Sequence, residues 1–142
     1  MALRSAAAFS SRNRHFSAFI RNQVSAVPAQ FEKTAEFKGG IKEEVLSKAS
    51  ASSISIVPSD SSVQTITLSQ SATFTMSGFE TGNCVTLILT QDGTGSRTGT
   101  FTGVKFAGGA PTLSTSANAI DVVTIFYDGT NYLGNIAQEF TS

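Results

Sequence analysis

From residue 54 onward the chain alternates. Serines separate Ile54 and Ile56, while Val63, Thr65 and Thr67 alternate with Gln64, Ile66 and Leu68. Phe74 and Met76 alternate with threonines. Val85, Leu87 and Leu89 form one face of a run whose other face carries Thr86 and Thr90. Period-two patterning marks a strand, because successive side chains point to opposite faces. Phe101 centres a shorter run, Val104 and Phe106 share a face on another, and residues 120–127 are the most apolar run. Turn signals separate these segments: Pro58-Ser-Asp-Ser-Ser, the stretch 78–83, Asp92-Gly-Thr-Gly, Gly108-Gly-Ala-Pro and Asp128-Gly-Thr-Asn. The last leads into Tyr132-Leu-Gly and reads as a hairpin. The pattern predicts about seven or eight short strands and no helix across 54–136. We therefore expect an all-β fold, an antiparallel β-sandwich of jelly-roll-like topology.

Upstream the alternation stops. Residues 47–53 are rich in Ser and Ala and read as a junction. Pro28 marks a boundary. Between it and Lys48, the residues Phe31, Phe37, Ile41, Val45 and Leu46 fall at mixed spacings around Gly39-Gly40. This predicts a linker with a short helix or strand on either side of the glycines. Residues 1–30 hold Arg4, Arg12, Arg14 and Arg21 and no acid. The reading is two parts: a basic N-terminal arm and linker over 1–48, and a β-sandwich domain over 49–142.

Charge supports the division. Net charge is zero over the 142 residues, yet residues 1–48 hold eight of the ten basic residues and four of the ten acids. The remainder carries Arg97 and Lys105 against six acids. Two readings of the arm compete. An Arg-rich, Ser-rich, acid-poor start resembles an organellar presequence, and it also suits an arm that docks on an acidic neighbour. We read it as a retained arm. Phe9, Phe16, Phe19 and Phe31 are too many to leave in water together. With Arg4, Arg12, Arg14 and Arg21 they form the candidate partner-binding set, burying against neighbouring subunits while the arginines pair with acidic surfaces.

Candidate chemistry is sparse. The single histidine, His15, lies in the arm, so the β-domain offers no histidine base for a serine nucleophile and no histidine metal ligand. Cys84 has no partner for a disulfide and reads as a small buried residue in a strand. Asp92-Gly-Thr-Gly lacks the ligands of a calcium loop and the lysine of a phosphate loop, so it reads as a turn whose aspartate bonds amides two residues on. Arg97 is expected to pair with Asp92 or Asp121, and Asp128 to cap the hairpin. We expect no catalytic residues, no metal and no cofactor, and hence no enzyme. No apolar run approaches the roughly 20 residues of a membrane helix. Four arginines without lysine clusters give no strong nucleic-acid signal.

The run Met76-Ser-Gly-Phe-Glu-Thr-Gly-Asn-Cys-Val-Thr-Leu-Ile-Leu-Thr-Gln-Asp-Gly-Thr-Gly-Ser-Arg-Thr resembles a module of tailed-phage virion structural proteins. The resemblance continues through Gly103-Val-Lys-Phe-Ala-Gly-Gly-Ala-Pro-Thr-Leu-Ser and Asn118-Ala-Ile-Asp-Val-Val-Thr-Ile-Phe-Tyr-Asp-Gly-Thr-Asn-Tyr-Leu-Gly. It covers residues 63–135. Where relatives often carry Trp, this chain has Phe101 and Phe106, and it has no Trp at all. The resemblance implies a virion location, in a tail fibre, neck fibre or capsid-surface protein, and association with other virion proteins. It also implies a homo-oligomer, a trimer being favoured. A receptor-binding tip for host surface glycans is the alternative, and exposed aromatics near Phe79, Tyr127 and Tyr132 would mark it. An organelle-targeted protein with a cleaved presequence is the third reading.

Overall fold

The computed structural model describes residues 36–140. The chain divides into two units, Met1–Gly40 and Ile41–Ser142, and the second contains every strand found among the described residues. These are β1 (Val45–Ser47), β2 (Ser53–Ile56), β3 (Val63–Leu68), β4 (Ala72–Met76), β5 (Cys84–Gln91), β6 (Gly99–Thr102), β7 (Val104–Phe106), β8 (Ile120–Tyr127) and β9 (Tyr132–Phe140). They form a six-stranded sheet, ordered β1-β3-β5-β8-β9-β7, and a three-stranded sheet, β2-β4-β6. No helix occurs among the described residues, and the fold is all-β.

Strand direction departs from the antiparallel, jelly-roll-like expectation. β1 with β3, β3 with β5, β2 with β4, β4 with β6 and β7 with β9 are parallel. Only β5 with β8 and β8 with β9 are antiparallel. Parallel neighbours need a long crossover connection. Here the opposite sheet supplies it: the chain runs from β1 to β2, returns as β3, crosses to β4 and returns as β5. The amino-terminal part is thus a short solenoid, with odd strands stacked on one sheet and even strands on the other. The antiparallel β8–β9 hairpin extends the larger sheet. Alternation predicts a strand and its two faces but is the same for either direction of pairing.

Stacking places equivalent side chains in columns. Ile54 aligns with Phe74, and Phe74 with Phe101. The Phe74 and Phe101 rings stack at 4.9 Å with an interplanar angle of 19°, close to the spacing between adjacent strands. On the facing sheet Leu87 aligns with Gln64 and Val123, and Val85 with Ile125. The apolar ones join Ile56, Ile66, Leu68 and Leu89 in one core between the sheets. Burial alternates as the sequence pattern requires, with Gln64, Ile66 and Leu68 inside and Val63, Thr65 and Thr67 outside. Cys84 corrects the expectation of a buried thiol: it is exposed, because it shares the outward parity of Thr86 and Thr90 on β5.

The corners between strands are irregular, so their backbone groups need partners. Two buried glutamines provide them. Gln64 Nε2 donates to Val57 O and Ser61 O, both at 2.9 Å. Gln91 Nε2 donates to Arg97 O at 2.8 Å and Ser114 O at 2.7 Å, while its Oε1 accepts from Arg97 N at 2.9 Å. Buried Asp121 accepts from Ser114 N at 2.7 Å, Ser114 Oγ at 2.5 Å and Glu139 N at 3.0 Å. It thereby ties the segment before β8 to the end of β9. The Asp92 turn is built as its sequence suggests: Oδ1 accepts from Thr94 N at 3.0 Å and Gly95 N at 2.9 Å. Gly95 adopts φ +73°, and a Cβ there would lie 2.4 Å from Thr115 O. Arg97 pairs with Asp92 rather than Asp121, with Nη2 2.8 Å from Oδ2.

Phe74→Ala should remove about 4 kcal/mol of stability, since it opens a cavity in the middle of the column. Thr75→Ala, on the exposed face of the same strand, should change it by about 0.5 kcal/mol or less. Urea midpoints at constant m-value check both.

The hydrogen bond from Arg97, opposed by partial burial and aided by the Gly95 and Thr94 amides, holds Asp92 below the ordinary aspartate value of 3.8. The unfolded chain therefore takes up the proton first. The associated stability is complete above about pH 4 and is lost as pH falls through the lower folded value. We expect a level urea midpoint from neutral pH down to about pH 5 and a decline below about pH 4. That decline should be shallower in Asp92→Asn, and an equally steep one would mean that the pairing contributes nothing.

Candidate functional site

The candidate arm residues Arg4, Phe9, Arg12, Arg14, Phe16, Phe19, Arg21 and Phe31 all lie outside the described residues. Within the β-domain, the three aromatics singled out at the sequence level do come together. Phe79 sits in the loop after β4, Tyr127 ends β8 and Tyr132 begins β9. The two tyrosine rings stack at 4.6 Å and 26°. Phe79 meets Tyr132 edge-on at 5.3 Å and Tyr127 at 6.4 Å. All three are half-buried. Neither tyrosine hydroxyl has a hydrogen-bond partner among the described residues.

The backbone around them is closely tied. Gly82 N donates to Tyr127 O at 2.8 Å, and Tyr127 N donates to Asn83 O at 3.0 Å. Asn83 Oδ1 accepts from Glu80 N at 2.7 Å, closing the loop that carries Phe79. At the hairpin tip, a Cβ on Gly129 would lie 2.7 Å from Thr81 Oγ1, so the tip and the loop touch with no room for a side chain. Asp128 Oδ1 accepts from Thr130 N at 2.7 Å and Asn131 N at 2.6 Å, and Oδ2 accepts from Asn131 Nδ2 at 3.0 Å. Lys105 Nζ donates to Asn131 Oδ1 at 2.6 Å. The backbone amide of Asn131, then its side chain and the Thr130 amide, hold Asp128 below its ordinary value. The result is a pre-ordered end of the domain with an aromatic patch and an exposed Asp-Asn-Lys chain beside the turn.

Phe101 and Phe106 serve a different purpose. Phe101 is 9% exposed and belongs to the core column. Phe106 meets Phe101 edge-on at 5.3 Å and lies over Gly134, where a Cβ would come within 2.5 Å of its ring. Shallow grooves of about 290 and 300 Å³ flank Phe106, bounded by Ala110 and Pro111.

The outer faces of the two sheets differ in kind. Outward positions on the small sheet are Ser53, Ser55, Thr73, Thr75, Thr100 and Thr102, all hydroxylated. The large sheet instead points Ile88, Ile120, Val122 and Phe126 outward, with Leu133 and Phe140 beside them. Sequence reading missed this face. The signal was present in 120–127, which is apolar at both parities, and an apolar run on both sides of a strand indicates that both faces are covered.

The chain matches the family model described as "putative phage tail fibre C-terminal domain" over residues 51–132, more than half its length. The matched span runs from just before β2 into the start of β9 and includes all of the Phe79–Tyr127–Tyr132 cluster. No curated protein and no solved structure matched the chain. Both the stacked column of Ile54, Phe74 and Phe101 and the tied hairpin turn fall within that span, and the chain belongs to the phage tail fibre C-terminal domain family, a structural protein of the virion.

Proposed function

We propose that the chain is a surface appendage of the phage particle, anchored to a neighbouring virion protein by its N-terminal arm and presenting its β-domain outward. The observation that carries this reading is the separation of parts: the family match begins at residue 51, and the basic, aromatic arm lies entirely before it. Four arginines spaced among four phenylalanines suit burial against an acidic, apolar groove on a neighbour. The β-domain carries the opposite net charge and takes the role of a stiff body. The role needs no catalytic group.

A second reading adds receptor binding at the hairpin end, and the Phe79–Tyr127–Tyr132 cluster favours it. Half-exposed aromatic rings on a tied backbone offer area for the apolar face of a sugar at little entropic cost. The two unbonded hydroxyls and the neighbouring Lys105 could orient its polar edge.

Reversing Arg4, Arg12, Arg14 and Arg21 to Glu should abolish co-sedimentation with particles stripped of this protein, with the urea midpoint unchanged. Full retention of binding would overturn the anchoring role. Tyr127→Ala with Tyr132→Ala should leave particle binding intact and reduce adsorption of purified protein to host cells by about tenfold or more. Unchanged adsorption would remove the receptor reading and leave the anchoring one standing.

A further inference from the structure

We propose that Lys48 is an edge guard: it closes the free edge of the three-stranded sheet to the addition of another strand. β2 is the first strand of that sheet and, among the described residues, pairs only with β4. In a parallel ladder, alternate residues of a strand serve the neighbour on one side. Thr73 N donates to Ser52 O at 2.9 Å and Ser77 N to Ile56 O at 3.0 Å, so Ser52, Ile54 and Ile56 serve β4. The N–H and C=O groups of Ser53 and Ser55 therefore point away from the sheet. Such a row is a template for a further strand. The sequence of β2 does little to discourage one, since Ser53-Ile54-Ser55-Ile56 has no charge and no proline.

Lys48 supplies what the strand lacks. It follows β1, and its own amide donates to Thr65 O at 2.9 Å, which fixes the root of the side chain against β3. Its Nζ donates to Ser55 O at 2.7 Å, one of the groups that face away from β4. The same ammonium lies 2.9 Å from Asp60 Oδ2, and the side chain is only 17% exposed. Two partners thus hold the charge at the edge. An incoming strand would have to displace it from Ser55 O and bury an ammonium beside backbone amides, which are donors as well. Stability alone is a weak reason for the arrangement, because an ion pair open to solvent contributes little. The neighbouring edge has its own protection. β1 is three residues long and follows Lys42-Glu43-Glu44. Ser62 Oγ donates to Glu43 Oε2 and Ser61 Oγ to Glu44 O. Short edge strands flanked by charge resist pairing.

The test compares full-length wild type with Lys48→Met, which keeps the aliphatic stem and removes the ammonium. Lys48→Gln takes its place should that variant fail to fold. Sedimentation velocity at micromolar concentration, without denaturant, reads the mass. Wild type should hold a single mass, whatever its own assembly. Lys48→Met should convert about tenfold more of the protein into species of at least twice that mass. Absence of heavier species from the folded variant overturns the proposal. Ser55→Pro in the same chain separates edge pairing from aggregation by partial unfolding. The Ser55 N–H serves no bond to β4, so proline is tolerated there and blocks a further strand. Lys48→Met with Ser55→Pro should return to the wild-type mass, and heavy species that persist overturn the proposal. Should the double variant fail to fold, hydrogen exchange in Lys48→Met decides the matter. The Ser53 and Ser55 amides should exchange about 100-fold more slowly in the heavy species than in wild type. Equal rates overturn the proposal. None of these readouts involves particle binding, so the anchoring role is tested separately.

Discussion

Register between stacked rungs is the constraint on which the rest of this structure depends. Each pass of the chain lays one strand on each sheet, so every inward position must match the one above and below it. Ile54, Phe74 and Phe101 satisfy this on one side, and their column ends in the ring stack of Phe74 and Phe101. A slip of one residue would turn Phe74 outward and bring a threonine into the core. The corners hold the register. Gln64 and Gln91 spend their amides on the carbonyls of the irregular segments that join one sheet to the other. Asp121 joins the segment before β8 to the end of β9.

The same architecture gives the domain its unequal faces. The small sheet is finished with hydroxyls and the large sheet with aliphatic and aromatic groups, although both alternate with period two and both share one core. A single core would need only one apolar face per sheet. The large sheet carries a second apolar face beyond the one the core uses.

The hairpin end is notable for its order rather than for unusual chemistry. The Asp128 turn, the Gly129–Thr81 contact and the backbone bonds to Asn83 and Gly82 hold the Phe79 loop against β8 and β9. Three rings are thereby fixed in one patch. The Asp92 turn is made of similar parts, an aspartate bonding nearby amides, but it packs against the segment near Thr115 and serves the fold.

By itself the sequence determined the strands and their faces, the turns at Asp92 and Asp128, the all-β class and the family. These are local properties: alternation, turn chemistry and motif order are set by neighbours along the chain. Gln64 and Ile66 read correctly as sharing a face, and Asp128 as the hairpin cap. Strand direction, the pairing of Phe74 with Phe101 and the choice of Asp92 by Arg97 were decided only by the tertiary structure. Alternation is the same for parallel and antiparallel neighbours, and which strands become neighbours depends on where each corner sends the chain. The aromatic cluster shows both sides of this division. Phe79, Tyr127 and Tyr132 could be named from sequence, but their meeting required a loop after β4 to close against a hairpin almost fifty residues further on.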